Sequence, residues 1–210
     1  MSSSAAVQIG PGLAALHAEM AKQHRDALAS FRSNDAVAEK IAASLRRTGR
    51  LVLLGMGGSQ AVNRMAEPDY RALGLPAIAL SLSEQLYSPL SLENATVILT
   101  SQSGESAEVH RLFAQKAPHG DMFGITMEAG SALAKACPSL IGAGGSEQAF
   151  CATRSLLICL TLHQLVVDKL GGESRPALAV LEAPQEPSIE AACARLKDRK
   201  STRLNSSHRL

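Results

Sequence analysis

The sequence predicts an α/β protein in which a parallel sheet is covered by helices. From residue 51 onward, short apolar runs alternate with longer segments of helical periodicity, and the apolar runs are not interrupted by polar residues. Uninterrupted apolar runs of this length are typical of strands buried on both faces. Strands that alternate with helices in this way indicate consecutive parallel units.

Two amphipathic helices are predicted ahead of the alternating region, over residues 12–31 and 35–47. Ser33, Asn34 and Asp35 are candidate caps for the second helix, which ends before Gly49. We therefore expect residues 1–50 to be an N-terminal helical region in front of a domain over residues 51–171.

The alternating region gives five strands and four helices. The strands are predicted over residues 51–54, 77–80, 96–100, 122–126 and 139–141, and the helices over residues 60–73, 105–116, 131–137 and 150–169. In such a sheet the loops that leave the carboxyl ends of the strands form the ligand crevice. This rule selects four loops, over residues 55–60, 81–87, 101–106 and 142–147.

The composition is that of a globular protein with a full hydrophobic core. The chain has 210 residues, of which 46% are hydrophobic and 19% charged, and its formal net charge is +2. This balance excludes a disordered chain, a collagen-like repeat and a strongly basic nucleic-acid-binding protein. Trp is absent and only 3% of residues are aromatic, so there is little with which to stack bases or sugars, and any carbohydrate would have to be bound by hydrogen bonds and charge.

Neither a secretory signal nor a membrane-spanning segment is predicted. The first ten residues lack a basic stretch followed by an apolar run, and the longest apolar stretch, 156–167, is too short to cross a bilayer. The cysteines form no CxxC pair; they are Cys137, Cys151, Cys159 and Cys193. We expect reduced thiols and a cytoplasmic protein, with no metal, no cofactor, no membrane and no nucleic acid as partner.

Glycines and a serine follow the first predicted strand, at Gly55, Gly57, Gly58 and Ser59. Glycines let backbone amides approach a ligand, and the start of a helix offers unpaired N–H groups. A dinucleotide-binding fingerprint would need Gly where Gln60 stands, and a nucleotide P-loop would need a Gly-Lys-Ser/Thr ending. Both are discounted, and a tight turn capped by Ser59 is the alternative to a binding loop.

The segment TSQSGES, residues 100–106, is the more informative motif. Ser101, Gln102, Ser103 and Ser106 follow a buried strand directly and open a helix. Hydroxyls and the amides of a helix start make a neutral phosphate cradle, in which oriented dipoles replace Lys or Arg. Capping by a single serine is the alternative, and it leaves the other hydroxyls unexplained.

Carboxylates occur in two of the four loops. Glu84 lies in the second loop and Glu147 in the fourth, so together they could bind sugar hydroxyls or move protons at the mouth of the sheet. Taken singly, each is more often a helix cap or a solvated surface charge than a functional group. Cys151 follows the fourth loop closely enough to touch a ligand, with a small buried residue as the alternative.

The order of these motifs resembles the SIS (sugar isomerase) domain. The likeness is to the first of two such domains in amino-sugar-phosphate isomerases, deaminases and the isomerase half of glucosamine-6-phosphate synthase. It covers residues 16–171, and Glu19, Met20 and Gln23 resemble the family's entry motif without its proline. The other matching pieces are residues 55–59, the Ser-Gln-Ser-Gly-Glu-Ser run at 101–106, residues 145–147 and residues 151–155.

The resemblance implies a flavodoxin-like three-layer α/β/α sandwich with a five-stranded parallel sheet, binding a small-molecule sugar phosphate. Ser101, Ser103 and Ser106 would hold the phosphate of a hexose 6-phosphate, while Gln102 and Ser59 would contact phosphate or sugar oxygens. The remaining candidate substrate-binding residues are Gly57, Gly58, Glu84, Ser146, Glu147 and Cys151. The resemblance also suggests a homodimer.

The chain departs from the family pattern in two places. Thr153-Arg154 stands where family members have Thr-Lys, and Phe150 stands where they carry a small or aliphatic residue. The family's proton-transferring base, ring-opening histidine and C-terminal lysine lie in or beyond its second domain and have no counterpart here, so no catalytic residue is assigned.

We therefore expect the N-terminal part of an amino-sugar-phosphate isomerase or deaminase, whose intact form interconverts aldose and ketose hexose 6-phosphates. The synthase branch fits less well, because Ser2 stands where its N-terminal catalytic cysteine would be. Two alternatives remain: a non-catalytic sugar-phosphate sensor, and a single-domain isomerase that acts as an oligomer.

The C-terminal residues divide into two parts. Residues 172–197 are expected to be a linker toward a second domain of the same kind. Residues 198–208 read DRKSTRLNSSH, which coincides with the translation of a widely used short-read sequencing adapter. We therefore expect residues 198–210 to be a non-native tail.

Overall fold

The computed structural model describes residues 10–115 and 120–183, and its architecture is the predicted α/β one. All strands of the sheet are parallel, in the order β2-β1-β3-β4-β5. They are β1 (Leu51–Gly55), β2 (Ala77–Ser81), β3 (Thr96–Thr100), β4 (Asp121–Thr126) and β5 (Ser139–Ile141). The predicted strands 96–100 and 139–141 agree at both ends, and each of the other three differs by one residue at one end.

Helices cover both faces of the sheet and complete the three layers. They are α1 (Pro11–Ser33), α2 (Asp35–Thr48), α3 (Gly58–Ala72), α4 (Leu82–Tyr87), α5 (Ala107–Ala114), α6 (Ala132–Ala136), α7 (Arg154–Lys169) and α8 (Arg175–Glu182). The first, second, third, seventh and eighth share one apolar cluster with the sheet, and the fourth, fifth and sixth share the other.

Strand β1 shows why the apolar runs are uninterrupted. Leu51 and Leu53 belong to the cluster that contains α3, whereas Val52 and Leu54 belong to the cluster on the opposite face. All four side chains are fully buried. Because successive side chains of a strand point to opposite faces, a strand covered on both sides needs an apolar residue at every position. Burial of each such side chain contributes about 1.5–3 kcal/mol.

The two N-terminal helices pack in the same layer as α3 and α7. Ala27 of α1 and Ile41 of α2 are fully buried in one cluster with Ile158 and Leu162 of α7. The buried residues of α2 are mostly apolar, as its amphipathic pattern predicts, whereas those of α1 are Glu19, Asp26, Ala27 and Ser30, so α1 buries chiefly polar groups.

Two differences from the predicted elements of residues 51–171 exceed two residues at an element's end. Residues 82–87 form α4, where a loop was expected; Leu82 anchors this helix in the core, and the Gln85 side chain closes its end through two hydrogen bonds with the Leu90 backbone. Helix α7 begins at Arg154 rather than at residue 150, because the carboxylate of Glu147 accepts the backbone N–H groups at its start.

Helix α8 lies inside the stretch expected to be a linker. Its Leu181 is buried in the same apolar cluster as α7. The remainder of that stretch, from residue 184, and the suspected tail 198–210 lie outside the described residues. Within the described residues, no helix is long and apolar enough to cross a membrane.

Candidate functional site

A cavity of about 190 Å³ opens at the carboxyl ends of β1 and β3. At this point the connections diverge, because β1 leads to α3 on one face of the sheet and β3 leads to α5 on the other. Open α/β sheets bind their ligands at such a switch point. The cavity is lined by Met56, Ser59, Leu82, Thr100, Ser101, Gln102, Ser103, Ser106 and Val109.

The polar lining of the cavity consists largely of residues that the sequence predicts: Ser59, Ser101, Gln102, Ser103 and Ser106. Gly57 and Gly58, which precede Ser59 at the start of α3, are exposed beside the cavity without lining it. The structure therefore brings the first and third predicted loops together.

Sequence reasoning missed the apolar wall of the cavity. Met56, Leu82 and Val109 supply it, from the loop after β1, the start of α4 and the first turn of α5. Met56 stands among the glycines of the first loop, and Leu82 directly follows β2, so both are in loops that the crevice rule selects. Because both side chains are apolar, the sequence carries no hydrogen-bonding or charge signal at these two positions.

The three serines of the third loop are fixed by the loop's own backbone. Each hydroxyl oxygen accepts an amide N–H: Gly104 N to Ser101 Oγ (3.2 Å), Glu105 N to Ser103 Oγ (3.2 Å) and Val109 N to Ser106 Oγ (3.4 Å). A hydroxyl has one O–H donor and two acceptor lone pairs. Accepting an amide therefore orients each side chain and leaves its O–H as a donor.

Strand β4 and helix α6 hold this loop from outside. The Gln102 carbonyl accepts from Met127 N (2.9 Å) and from Thr126 Oγ1 (3.1 Å). Gly104 has a φ of +63°, and a Cβ at this position would lie 2.3 Å from Ser131 Oγ. Only glycine fits such a turn at this distance from a neighbouring helix.

Glu105 also braces the third loop. Its Oε1 accepts from Ala132 N at 2.6 Å, and its Oε2 lies 2.9 Å from His110 Nε2. The hydrogen bond from Ala132, assisted by His110, lowers the pKa of the Glu105 carboxyl. Glu105 thereby joins the loop to α6 and α5, and it does not line the cavity.

The expected pair of carboxylates at one mouth is not formed. Glu84 lies in α4, after edge strand β2, and Glu147 follows β5 at the opposite edge of the sheet. The two edge strands are four strand spacings apart, and at about 4.8 Å for each spacing their separation is about 19 Å. The structure therefore does not bring Glu84 and Glu147 together.

Glu147 caps α7. Its Oε1 accepts from Thr153 N (2.8 Å), Thr153 Oγ1 (2.7 Å) and Arg154 N (2.9 Å), and its Oε2 accepts from Ser155 N (3.2 Å) and Ser155 Oγ (2.5 Å). Although partial burial raises the pKa of Glu147, the hydrogen bonds from Ser155 and Thr153 outweigh that effect and leave the pKa below its ordinary value. A carboxylate at a helix N-terminus satisfies amides that have no partner in the helix.

Two further candidates lie close to this cap. The Ser146 amide donates to Glu128 Oε1 (2.9 Å), and Cys151 is an exposed free thiol. Neither residue lines the cavity between β1 and β3, and Glu84 does not line it either.

A buried arginine ties the fourth loop to α1. Arg154 is 1% exposed, and its Nε and Nη1 donate to Glu19 Oε2 (2.5 Å) and Asp26 Oδ2 (3.1 Å). Its guanidinium also donates to the carbonyls of Ala143 (3.1 Å) and Gly145 (2.9 Å). The planar fork of an arginine can reach all four acceptors at once, which a lysine cannot do.

A second buried polar chain runs from the cavity into the interface between α3 and α7. Thr100 Oγ1 donates to Asn63 Oδ1 (2.7 Å), which lies 3.1 Å from His163 Nε2, and His163 Nδ1 lies 3.1 Å from the Tyr70 hydroxyl. All four residues are at most 1% exposed. Burial lowers the pKa of His163 to about 3, so the ring is neutral. The network then assigns its proton to Nε2, which donates to Asn63, and Nδ1 accepts from Tyr70.

No family model and no curated protein sequence matches the chain. Several solved structures, in contrast, have a similar fold. A protein from Silicibacter pomeroyi assigned as a phosphosugar isomerase superposes with a TM-score of 0.69 at 20% identity, over 80% of this chain and 54% of that one. Tagatose-6-phosphate ketose/aldose isomerase from Escherichia coli gives 0.68 at 19% identity, over 80% and 51% of the two chains.

The chain shares the fold of phosphosugar isomerases. The Vibrio vulnificus NanR protein complexed with ManNAc-6P has it too, with a TM-score of 0.60 at 18% identity over 79% of this chain and 65% of that one. At these identities the likeness establishes the fold alone. The chain spans about half the length of the two isomerase structures. The predicted fold class is thus confirmed, and its place as the first of two domains stays a prediction.

The buried arginine gives a stability prediction. Arg154→Met should lower the free energy of unfolding by about 3–5 kcal/mol, because it removes the buried cation and leaves the buried carboxylates of Glu19 and Asp26 paired with the more exposed side chains of Lys22 and Arg25. Arg25→Met is the matched control, since Arg25 pairs with the same Asp26 from a side chain that is 73% exposed, and it should cost less than about 1 kcal/mol. Urea unfolding measures both, and equal losses would refute the assignment.

The buried histidine gives a pH prediction. The folded-state pKa of His163, about 3, lies below the ordinary 6.5, so the unfolded chain takes up this proton first. The associated stability is complete above pH 6.5 and is lost as the pH falls toward 3, by up to about 1.4 kcal/mol per pH unit. His163→Gln should therefore flatten the acid side of the stability profile measured by urea unfolding. Parallel profiles of the two proteins would contradict a buried neutral His163.

Proposed function

We propose that this chain binds a phosphorylated sugar, with the phosphate in the cavity between β1 and β3. The orientation of the serines of the third loop is the observation that carries the proposal. Each of Ser101, Ser103 and Ser106 accepts a backbone amide, so each keeps its O–H to donate to a ligand. Three oriented hydroxyl donors in one short loop match the tetrahedral oxygens of a phosphate.

The electrostatics support a neutral cradle. No Lys or Arg is among the residues that line the cavity. Helices α3 and α5 begin beside it, and no side chain caps the start of α3. Amides at a helix N-terminus and the positive end of the helix dipole favour an anion. Each hydrogen bond to a charged phosphate oxygen contributes about 1.5–3 kcal/mol, so several neutral donors suffice.

The sugar would lie toward the start of α3. The polar lining residues outside the three-serine set are Ser59, Thr100 and Gln102, and because the Thr100 hydroxyl donates to Asn63, we assign Ser59 and Gln102 to phosphate or sugar oxygens. Met56 and Leu82 offer apolar surface against the carbon skeleton. Glu84, Ser146, Glu147 and Cys151 lie outside the cavity lining, so we propose phosphate binding for the lining residues alone.

We further propose that the chain is the phosphosugar-binding part of an amino-sugar-phosphate isomerase or deaminase in the cytoplasm, acting as a homodimer or with a second domain. The names of two solved structures with this fold support phosphosugar isomerase chemistry, and one of the two names tagatose 6-phosphate. The described residues that line the cavity include no carboxylate or histidine that could move a proton between adjacent sugar carbons. A catalytic base would therefore come from outside the cavity lining.

A non-catalytic sugar-phosphate sensor is the second candidate. The NanR structure favours it, because there ManNAc-6P is complexed with a protein of the same fold that is not described as an isomerase. Incubation with fructose 6-phosphate and with glucosamine 6-phosphate separates the two functions. Formation of the aldose or release of ammonia supports the enzyme, and binding without turnover by the full-length protein supports the sensor.

Binding is tested by calorimetry with glucosamine 6-phosphate and fructose 6-phosphate. The double variant Ser101→Ala, Ser103→Ala should bind at least about tenfold more weakly than the wild type, because two hydrogen bonds to a charged oxygen are lost. The thermal unfolding temperature is recorded for each protein, so that unfolding is not mistaken for lost affinity.

Ser91→Ala is the matched control. Ser91 accepts the amide of Glu93, two residues on, in the same way that Ser103 accepts the amide of Glu105, but it precedes β3 instead of following it. The Ser91→Ala variant should bind both sugar phosphates as tightly as the wild type does. Equal affinity of the double variant and the wild type would remove the cradle assignment.

A further inference from the structure

The two walls of the cavity are joined by one buried hydrogen bond. Asn63 lies in α3, one helical turn after Ser59, which lines the first wall. Thr100 is the last residue of β3 and directly precedes Ser101, which begins the second wall. The bond of 2.7 Å from Thr100 Oγ1 to Asn63 Oδ1 therefore connects the helix that carries Ser59 to the strand that carries the serine loop.

Asn63 is itself held from behind. His163 of α7 donates to the same Oδ1, and Tyr70 of α3 fixes the other side of the His163 ring in an edge-on contact with a centroid distance of 5.9 Å. In front, Gly55 lies so close that a Cβ there would be 2.9 Å from Asn63 Nδ2. The side chain of Asn63 is thus fixed by α7, β1 and β3 at once.

The network is not one that maximises stability. Among the buried side-chain N and O atoms of the described residues, Asn63 Nδ2 is the one without a hydrogen-bond partner. An unpaired buried donor is unfavourable, and an apolar residue of similar size would avoid it. An apolar residue at position 63 could not accept hydrogen bonds from Thr100 and His163 together.

We propose that Asn63 is a positioning residue, which sets the separation of the two cavity walls by holding Thr100 against α3 and α7. It does not line the cavity and acts through Thr100 on Ser101 and through α3 on Ser59. The effect on a sugar phosphate rests on the proposed function. The fixed separation of the walls is a property of the unliganded chain and is measured separately.

The test uses two isosteric substitutions at opposite ends of one strand. Thr100→Val removes the hydroxyl that donates to Asn63 and leaves the volume unchanged. Thr96→Val is the matched control: Thr96 is also fully buried on β3, its Oγ1 lies 2.6 Å from Ser44 Oγ and 2.8 Å from Thr48 Oγ1, and it sits at the end of the strand away from the cavity.

Amide hydrogen exchange in the unliganded protein is the first readout. Gly104 N and Ser59 N, which donate to the carbonyls of Ser101 and Met56, report on the two walls. Thr100→Val should speed exchange at both amides by about fivefold or more, the factor that corresponds to one buried hydrogen bond. Thr96→Val should leave both rates unchanged. Unchanged rates in Thr100→Val, or equal acceleration in the control, would overturn the proposal.

Affinity for glucosamine 6-phosphate is the second readout. Thr100→Val should weaken it by about fivefold or more, Thr96→Val should not, and Thr100→Ser, which keeps the hydroxyl, should restore both affinity and exchange rates. If Thr100→Ser does not restore the exchange rates, the hydroxyl of residue 100 does not hold the two walls together. If the wild type binds no sugar phosphate, the proposed function fails, and the exchange rates still decide whether Asn63 positions the walls.

Discussion

The parallel pairing of β1 with β3 is the constraint on which the rest of the site depends. In this pairing Gly55 lies opposite Thr100, so the two strands end at the same level. Their following helices pack on opposite faces of the sheet, because each face needs cover for its own half of the apolar side chains. The crevice between the diverging loops is the geometric result of that demand, and the serine loop and the start of α3 become its walls.

Two buried polar systems stabilise this arrangement by different means. The Arg154 cluster is charged, and it joins α1, the fourth loop and the start of α7 through a desolvated guanidinium with two carboxylates. The chain from Thr100 to Tyr70 is neutral, and it lies directly behind the cavity. A neutral network next to the binding loop keeps the field of the helix termini available for an anion, whereas the charged cluster contacts the loop that follows β5, two strands away from β3.

Patterns local in sequence could be predicted, and contacts between distant segments could not. The strands follow from apolar runs, and the third loop follows from three hydroxyls at the end of one of them. The separation of Glu84 from Glu147 could not be predicted, because the order of strands in a sheet is not encoded in local periodicity. Asn63 and His163 were missed for the same reason, since their partners lie 37 and 100 residues away. Helix α4, in contrast, has a local signal in the sequence, because Ser81 and Glu84 have the Ser-x-x-Glu spacing typical of a helix start.

The central claim is that the phosphate of a sugar phosphate is bound by neutral donors between β1 and β3. Backbone amide chemical shifts, recorded by NMR with glucosamine 6-phosphate and with glucosamine, test it most directly. The account predicts that the phosphorylated sugar shifts the amides of residues 57–60 and 101–107 and that glucosamine does not. Shifts that cluster in residues 142–151, or that are the same for both sugars, would contradict it.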